Sequence, residues 1–173
     1  MIKKYKQFLN ESVLDNMTGP SIDEIYNKLG LTGLTPENLF KKSLDNKFYY
    51  GIIDSIERGY DINKNKDNIV YITVLSDDEM YSLLKLINFD NYDLDYLTER
   101  ARLLVVFNKP KCLELFFRNG VDANDLLKTN SISAWYEDNP EMVELLNKYK
   151  NIPVKKREKS GFISKFKNFI GIK

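Results

Sequence analysis

Histidine is absent from all 173 residues. That removes the side chain most used as a general base near neutral pH, every Ser-His or Cys-His nucleophile pair, and the imidazole metal ligand. Cysteine occurs once, at Cys112, so a disulfide framework and a Cys-rich zinc site are both excluded. Cys112 lies within an apolar helical pattern and reads as a small core residue rather than a reactive thiol. No apolar run approaches the roughly 20 residues of a membrane span; the longest, Leu103 to Phe107, reads as a core segment. The basic N-terminus lacks an apolar signal core, so no secretory signal is expected. Alanine is present only at 101, 123 and 134, whereas Lys, Asn, Ile and Tyr are plentiful, the bias of an AT-rich genome.

What is present is a chain long enough for one packed domain with tails. Its net charge of +1 hides an asymmetry. Residues 151–173 carry seven basic side chains against Glu158 alone, a net +6, which leaves −5 for residues 1–150. Three parts follow: an N-terminal arm over 1–21, a body over 22–150, and a basic linker and tail over 151–173. Thr18-Gly19-Pro20-Ser21 breaks the arm from the body, and Ser21 with Glu24 predicts a capping box at the next helix.

The body repeats. Residues 47–63 and 108–124 are both helical apolar patterns that end in Gly-x-Asp-x-Asn. Gly59 and Gly120 stand where a helix end needs a left-handed residue, and the Asp and Asn suit a tight turn. Between them, Asp77-Asp78-Glu79 opens a helix with acids at its positive end. Met80, Leu83, Leu84 and Ile87 form its apolar stripe, and Asp93-Leu94-Asp95 is expected at the turn. A fourth copy runs from Asp138 to Leu146, with Pro140 matching Pro110 as a first-turn proline. A spacing near 30 residues predicts a helical solenoid.

These residues resemble ankyrin repeats over about 34–150. Thr35-Pro36-Glu37-Asn38-Leu39 resembles the repeat's Thr-Pro opening. Gly59-Tyr60-Asp61-Ile62-Asn63 and Gly120-Val121-Asp122-Ala123-Asn124 resemble its helix-end turn, and 140–146 its second helix. The second and fourth copies lack the Gly turn, and the last reads as a cap, with Tyr149 and Lys150 in its place. The resemblance implies an all-α fold of about four helix pairs and a non-catalytic protein-binding role.

The arm, Met-Ile-Lys-Lys-Tyr-Lys-Gln-Phe-Leu-Asn-Glu, places Ile2, Tyr5, Phe8 and Leu9 at helical spacing. It resembles the capsid-targeting peptides of internal head proteins in large tailed phages. Leu9, Glu11 and Ser12 then mark a cleavage site, and the resemblance implies a protein trimmed after Glu11, carried in the virion interior and released into a host cytoplasm. The alternative is an amphipathic arm docked on the first repeat.

Asp61-x-Asn63-x-Asn65 starts like a calcium loop, but Lys66 and Ile72 stand where that loop requires Gly and Glu, so it reads as a polar finger. Asp90, Asp93 and Asp95 read as a solvated turn. Trp135 and Tyr136 read as core in the first helix of the last copy. Tyr49, Tyr50, Tyr60, Tyr71 and Tyr92 stand near repeat turns and are candidate partner contacts. In the tail, Phe162, Ile163, Phe166, Phe169 and Ile170 share one helical face, with Lys165 and Lys167 off it. Such a segment suits an anionic membrane surface, a partner groove or the body itself; residues 151–161 read as a flexible linker. No cofactor or metal is expected. A protein partner is expected and nucleic acid is not. The second reading is an intracellular adaptor tethered by this tail.

Overall fold

The computed structural model describes residues 20–128 and 136–152. Among these residues every regular element is helical. The order is α1 (Ile22–Leu29), α2 (Pro36–Asp45), α3 (Tyr49–Glu57) and α4 (Asn68–Tyr71), which runs into a 3-10 turn at Ile72–Val74. Then come α5 (Asp77–Leu84), a 3-10 turn at Phe89–Asn91, α6 (Leu94–Val106), α7 (Pro110–Arg118), α8 (Ala123–Leu127) and α9 (Pro140–Lys150).

Local chemistry explains most helix starts. Ser21 with Glu24, and Ser76 with Glu79, form reciprocal capping boxes at α1 and α5. Thr35, Asp93, Asp122 and Asn139 each accept a backbone N–H at the start of α2, α6, α8 and α9. Pro36, Pro110 and Pro140 occupy first-turn positions, where a missing N–H costs nothing. Asp93, expected in a turn, instead caps α6, so Leu94 and Asp95 are already helical. The chain turns earlier, through residues 85–92.

Helix ends explain the reversals. Gly59 has φ +105° and Gly120 φ +94°, the left-handed region that glycine enters without a Cβ penalty. The same hydrogen bonds close both ends: Gly59 N–H donates to Ile56 O and Tyr60 N–H to Ser55 O, as Gly120 does to Phe117 O and Val121 to Phe116 O. The sharp turns from α2 to α3 and from α6 to α7 place Lys47 and Asn108 at φ +52°. Both the glycine pair and this pair are 61 residues apart.

Packing follows. α2 packs on α3, α5 on α7, α6 on α7 and α8, and α9 on α7 and α8. A single apolar core runs from Phe40 through Met80, Leu104 and Phe116 to Leu146. Gly51 lets α2 and α3 approach: a Cβ there would stand 2.2 Å from Ser43 Oγ and 2.9 Å from the Phe48 ring. Sixty-one residues later the matching position holds Cys112, fully buried. Burial, then Asp77, pushes its thiol pKa up, as an inert core residue requires. The Leu103–Phe107 run is only partly core. Leu104 and Val105 are buried, Leu103 and Val106 half-buried, and Phe107 turns outward at the end of α6.

Polar side chains stitch successive segments. Asp61 Oδ1 accepts the Asn63 N–H at 2.9 Å and Asp122 Oδ1 the Asn124 N–H at 2.8 Å, so both acids fold their own turns. The two asparagines then reach outward. Asn63 donates to Leu86 O at 3.3 Å and accepts from Asn88 N–H at 2.7 Å, while Asn124 donates to Lys150 O at 3.3 Å. The buried Asn68 amide donates to Ile62 O at 2.8 Å and to Tyr60 Oη at 3.1 Å, anchoring the loop before α4.

Candidate protein-interaction surface

Three large apolar residues stand exposed at or just past the C-terminal ends of α4 and α6. They are Tyr71 (50% exposed), Val74 (48%) and Phe107 (51%). Val74 lies three residues before the start of α5, and Phe107 three before the start of α7. They therefore share one register position just ahead of the second helix of each hairpin. Tyr71 sits one turn back from Val74.

Side chains crossing between hairpins make these turns one continuous edge. Lys109 Nζ donates to Leu75 O. Asp77 Oδ2 accepts the Lys111 N–H at 2.9 Å and Asp77 Oδ1 the Cys112 N–H at 3.2 Å, so the first residue of α5 caps the start of α7. Asn139 Nδ2 donates to Asn108 Oδ1, joining the α9 cap to the α6–α7 turn. The edge thus runs through residues 74–78, 107–111 and 137–141.

Its charge is predominantly acidic. Asp78, Glu137, Asp138 and Glu141 are all exposed. Lys111 Nζ lies 2.6 Å from Asp78 Oδ1, and that bond first, then Asp77 and Glu141, raises its pKa. Asp77, Asp78, Glu137, Asp138 and Glu141 stand along it against Lys109 and Lys111, so the edge keeps a net negative charge. Apolar residues ringed by like charges are what a desolvating contact needs at its centre and rim.

Two partly exposed polar clusters tie helices together elsewhere in the body. Glu114 Oε1 accepts from Arg118 and Lys148, both at 3.0 Å, and from Tyr149 Oη at 3.1 Å, locking α9 onto α7. Burial pushes the Glu114 pKa up, but the hydrogen bonds from Lys148, Arg118 and Tyr149 outweigh it and hold the carboxyl below the usual glutamate value. At the other end, Tyr26 Oη donates to Asp54 Oδ2 at 2.8 Å and Arg58 Nε to Asp54 Oδ1 at 2.9 Å, fixing α1 on α3. Burial, then Asp54, raises the Tyr26 pKa.

The sequence-predicted contacts divide. Tyr71 is on the exposed edge. Tyr49 is half-buried against the core. Tyr60 stacks on Phe40 at 4.2 Å and shares hydrogen bonds with Asn68, so its ring serves the interior more than a partner. Tyr92 corrects the expectation of a surface contact: at 2% exposure it stacks on Tyr96, and burial pushes its phenol up to about 12. It sits inward because the loop before α6 wraps its ring under Tyr96. Leu9, Glu11 and Ser12, the tail residues Phe162, Lys165, Phe166, Lys167 and Phe169, and Trp135 lie outside the described residues. Val74 and Phe107 were not singled out from the sequence; aligning the helix starts Asp77 and Pro110 places one above the other.

Among the described residues no group of His, Cys, Asp and Glu is arranged to hold a metal, and no helix is long and apolar enough to cross a membrane. Asp61 folds its own turn, as a polar finger requires. Compared with known proteins, the chain matches no family model, no curated protein and no solved structure.

Proposed function

We propose that this chain is a non-catalytic protein-binding module, built as a short, divergent ankyrin-like stack of helix pairs. The starts of α3, α5, α7 and α9 fall at intervals of 28, 33 and 30 residues, which supports a repeated unit. The turns at Gly59 and Gly120, each followed by an Asp that folds the loop and an Asn that reaches the next segment, support the same reading.

One observation carries the binding role: Tyr71, Val74 and Phe107 lie exposed along one edge, where a monomer gains nothing by leaving them. Their mechanism is desolvation of an aromatic-aliphatic centre inside an acidic rim. The partner class that fits is a protein offering apolar side chains flanked by Lys or Arg. The full chain is immobilised and its partners captured from cells of the natural source, alongside a Tyr71→Ser/Phe107→Ser variant. We expect one captured protein to fall by at least about tenfold, with the melting midpoint of the variant barely moved because both side chains are exposed. Equal capture by the two forms would remove this edge from the mechanism.

The arm extends the reading. Its resemblance to capsid-targeting peptides supports packaging in a phage head, trimming between Glu11 and Ser12, and action on a host protein after delivery. The N-terminal mass of the protein recovered from purified particles tests it. A chain beginning at Ser12 is expected, and an intact N-terminus in particles would sink the processing step.

A further inference from the structure

Four arginines lie among the described residues, and three of them hold a carboxylate one helical turn back. Arg58 pairs with Asp54, Arg102 with Glu99 and Arg118 with Glu114. Arg100 has no such neighbour: Tyr96 and Leu97 stand four and three residues before it, Leu103 and Leu104 three and four after. Among the described residues it makes no ion pair, and its Nε is buried without a hydrogen-bond partner. A ring holds it instead, with the guanidinium 4.6 Å from the centroid of Tyr96. That ring is fixed in turn. Tyr96 Oη donates to Lys66 O at 2.8 Å, and Tyr92 stacks on Tyr96 with centroids 5.6 Å apart. Arginine keeps its charge at any ordinary pH, so a half-buried one without a counter-ion is a cost that the described body does not offset.

We infer that Arg100 anchors a carboxylate of the bound protein, an Asp or Glu side chain close to the apolar group that covers Phe107. The inference deepens the binding-edge reading and rests on it. Tyr96, Arg100, Leu103 and Phe107 recur at i, i+4, i+7 and i+11, which places them on one face of α6. Leu103, half-buried, continues the apolar surface between Arg100 and Phe107. The seven residues from Arg100 to Phe107 span about 10 Å along the helix. Stacking on Tyr96 pre-organises the planar guanidinium for a two-pronged bond to a carboxylate. The surrounding charges fit one carboxylate and not a phosphate chain. Exposed Asp95 and Glu99 share the helix, with Glu99 held by Arg102, and residues 1–150 carry −5. The adjoining loop carries Lys64 and Lys66 against Asp67, all exposed, and so does not oppose a single acid. The partner is then read in one direction. Its Lys or Arg meets Asp78, Glu137, Asp138 and Glu141 at the turns, and its acid lies two turns down α6.

A random peptide library selected on the immobilised full chain tests this, with full-length Arg100→Gln and Phe107→Ser chains beside it. From the unaltered chain we expect peptides with an aromatic or aliphatic anchor and an Asp or Glu about three residues away when extended, or about seven when helical. The acid should be enriched at least about tenfold over Asn and Gln, as a charge-assisted pair in a partly dry setting requires. Arg100→Gln should keep the anchor and lose the acid preference, while Phe107→Ser should lose the anchor. One selected peptide and its form with Gln in place of the acid are then titrated against the unaltered and Arg100→Gln chains. Only the pairing that keeps both charges should bind at least about tenfold tighter. The melting midpoint of Arg100→Gln should move by only about a few degrees, since the change strands no carboxylate. Anchored peptides without an acid preference, or an acid preference that persists in Arg100→Gln, would overturn the inference and leave the edge reading standing. Peptides whose anchor is indifferent to Phe107, or no enriched peptide at all, would overturn the edge reading and this inference with it.

Discussion

The loops that follow α3 and α7 carry the same letters, Gly-x-Asp-x-Asn, and begin in the same way. Glycine ends the helix left-handed, and the aspartate carboxylate accepts the asparagine N–H. They part at the asparagine side chain. Asn63 is held at both ends of its amide, by Leu86 O and Asn88 N–H, because another loop lies beside it. Among the described residues, Asn124 meets across from it the last carbonyl of α9, Lys150 O. The local turn is thus a property of five residues, while the strength of the stitch depends on what the neighbouring segment offers. Among the described residues, the turn near the middle of the body has more such bonds than the one at its end.

The comparison breaks most sharply at positions 51 and 112, which occupy the same place in the two hairpins. Gly51→Ala should destabilise by roughly 3 kcal/mol, because the new methyl meets Ser43 and Phe48 at distances no Cβ tolerates. Cys112→Ala, which removes one buried sulfur and overpacks nothing, should lose about 1 kcal/mol. Denaturant midpoints of the two variants read the difference, and equal losses would mean that the two hairpins are not packed alike.

Asn63→Ala should cost about 2 kcal/mol, since it strands a backbone N–H and a carbonyl, and Asn124→Ala about half of that. Amide exchange should localise the first loss to residues 86–88. An Asn124 variant as damaging as the Asn63 variant would show that the end of the body is tied as tightly as its middle.

A gain is expected at the reversals. Lys47 and Asn108 share φ +52°, a region that costs an ordinary L residue about 1 kcal/mol. Lys47→Gly should raise stability by about that amount. Asn108→Gly should bring little or nothing, because asparagine tolerates this backbone and its side chain accepts from Asn139. Paired thermal melts decide between them.

The smallest effect separates the two ends by pH. The Glu114 carboxyl titrates below its ordinary value of 4.5 in the folded chain, so the unfolded state takes up its proton first as pH falls. The stability from this group is therefore present above pH 4.5 and lost on acidification through its lower folded value. Glu114→Gln should flatten the stability profile in that window, by less than about 1 kcal/mol, because the site is partly exposed. An unchanged profile would assign the docking of α9 to Met142, Leu146 and Tyr149 alone.

Much of this was legible in advance. The Ser21–Glu24 capping box, the first-turn prolines at 110 and 140 and the two glycine turns follow from residues within four positions of each other, so single-sequence rules reach them. The stripe Met80, Leu83, Leu84 and Ile87 is buried as its spacing requires. Asp93 was misplaced because a carboxylate serves equally as a turn residue and as a helix cap, and only the length of the preceding loop selects between them. Tyr92 was misplaced because an aromatic near a turn looks the same from the sequence whether its ring faces water or Tyr96. The edge at Val74 and Phe107 was missed because an apolar residue in an apolar run reads as core.

The sequence by itself determined the helical character of the described body, most of its helix starts, and a charge division between body and tail. Those depend on caps, periodicity and composition, all short-range quantities. The tertiary structure alone decided which aromatics are core, that Asp77 caps a helix 33 residues away, and that three turns join into one acidic edge with exposed apolar residues. Such features depend on how helices distant in the chain are oriented against one another, and no local pattern encodes that orientation.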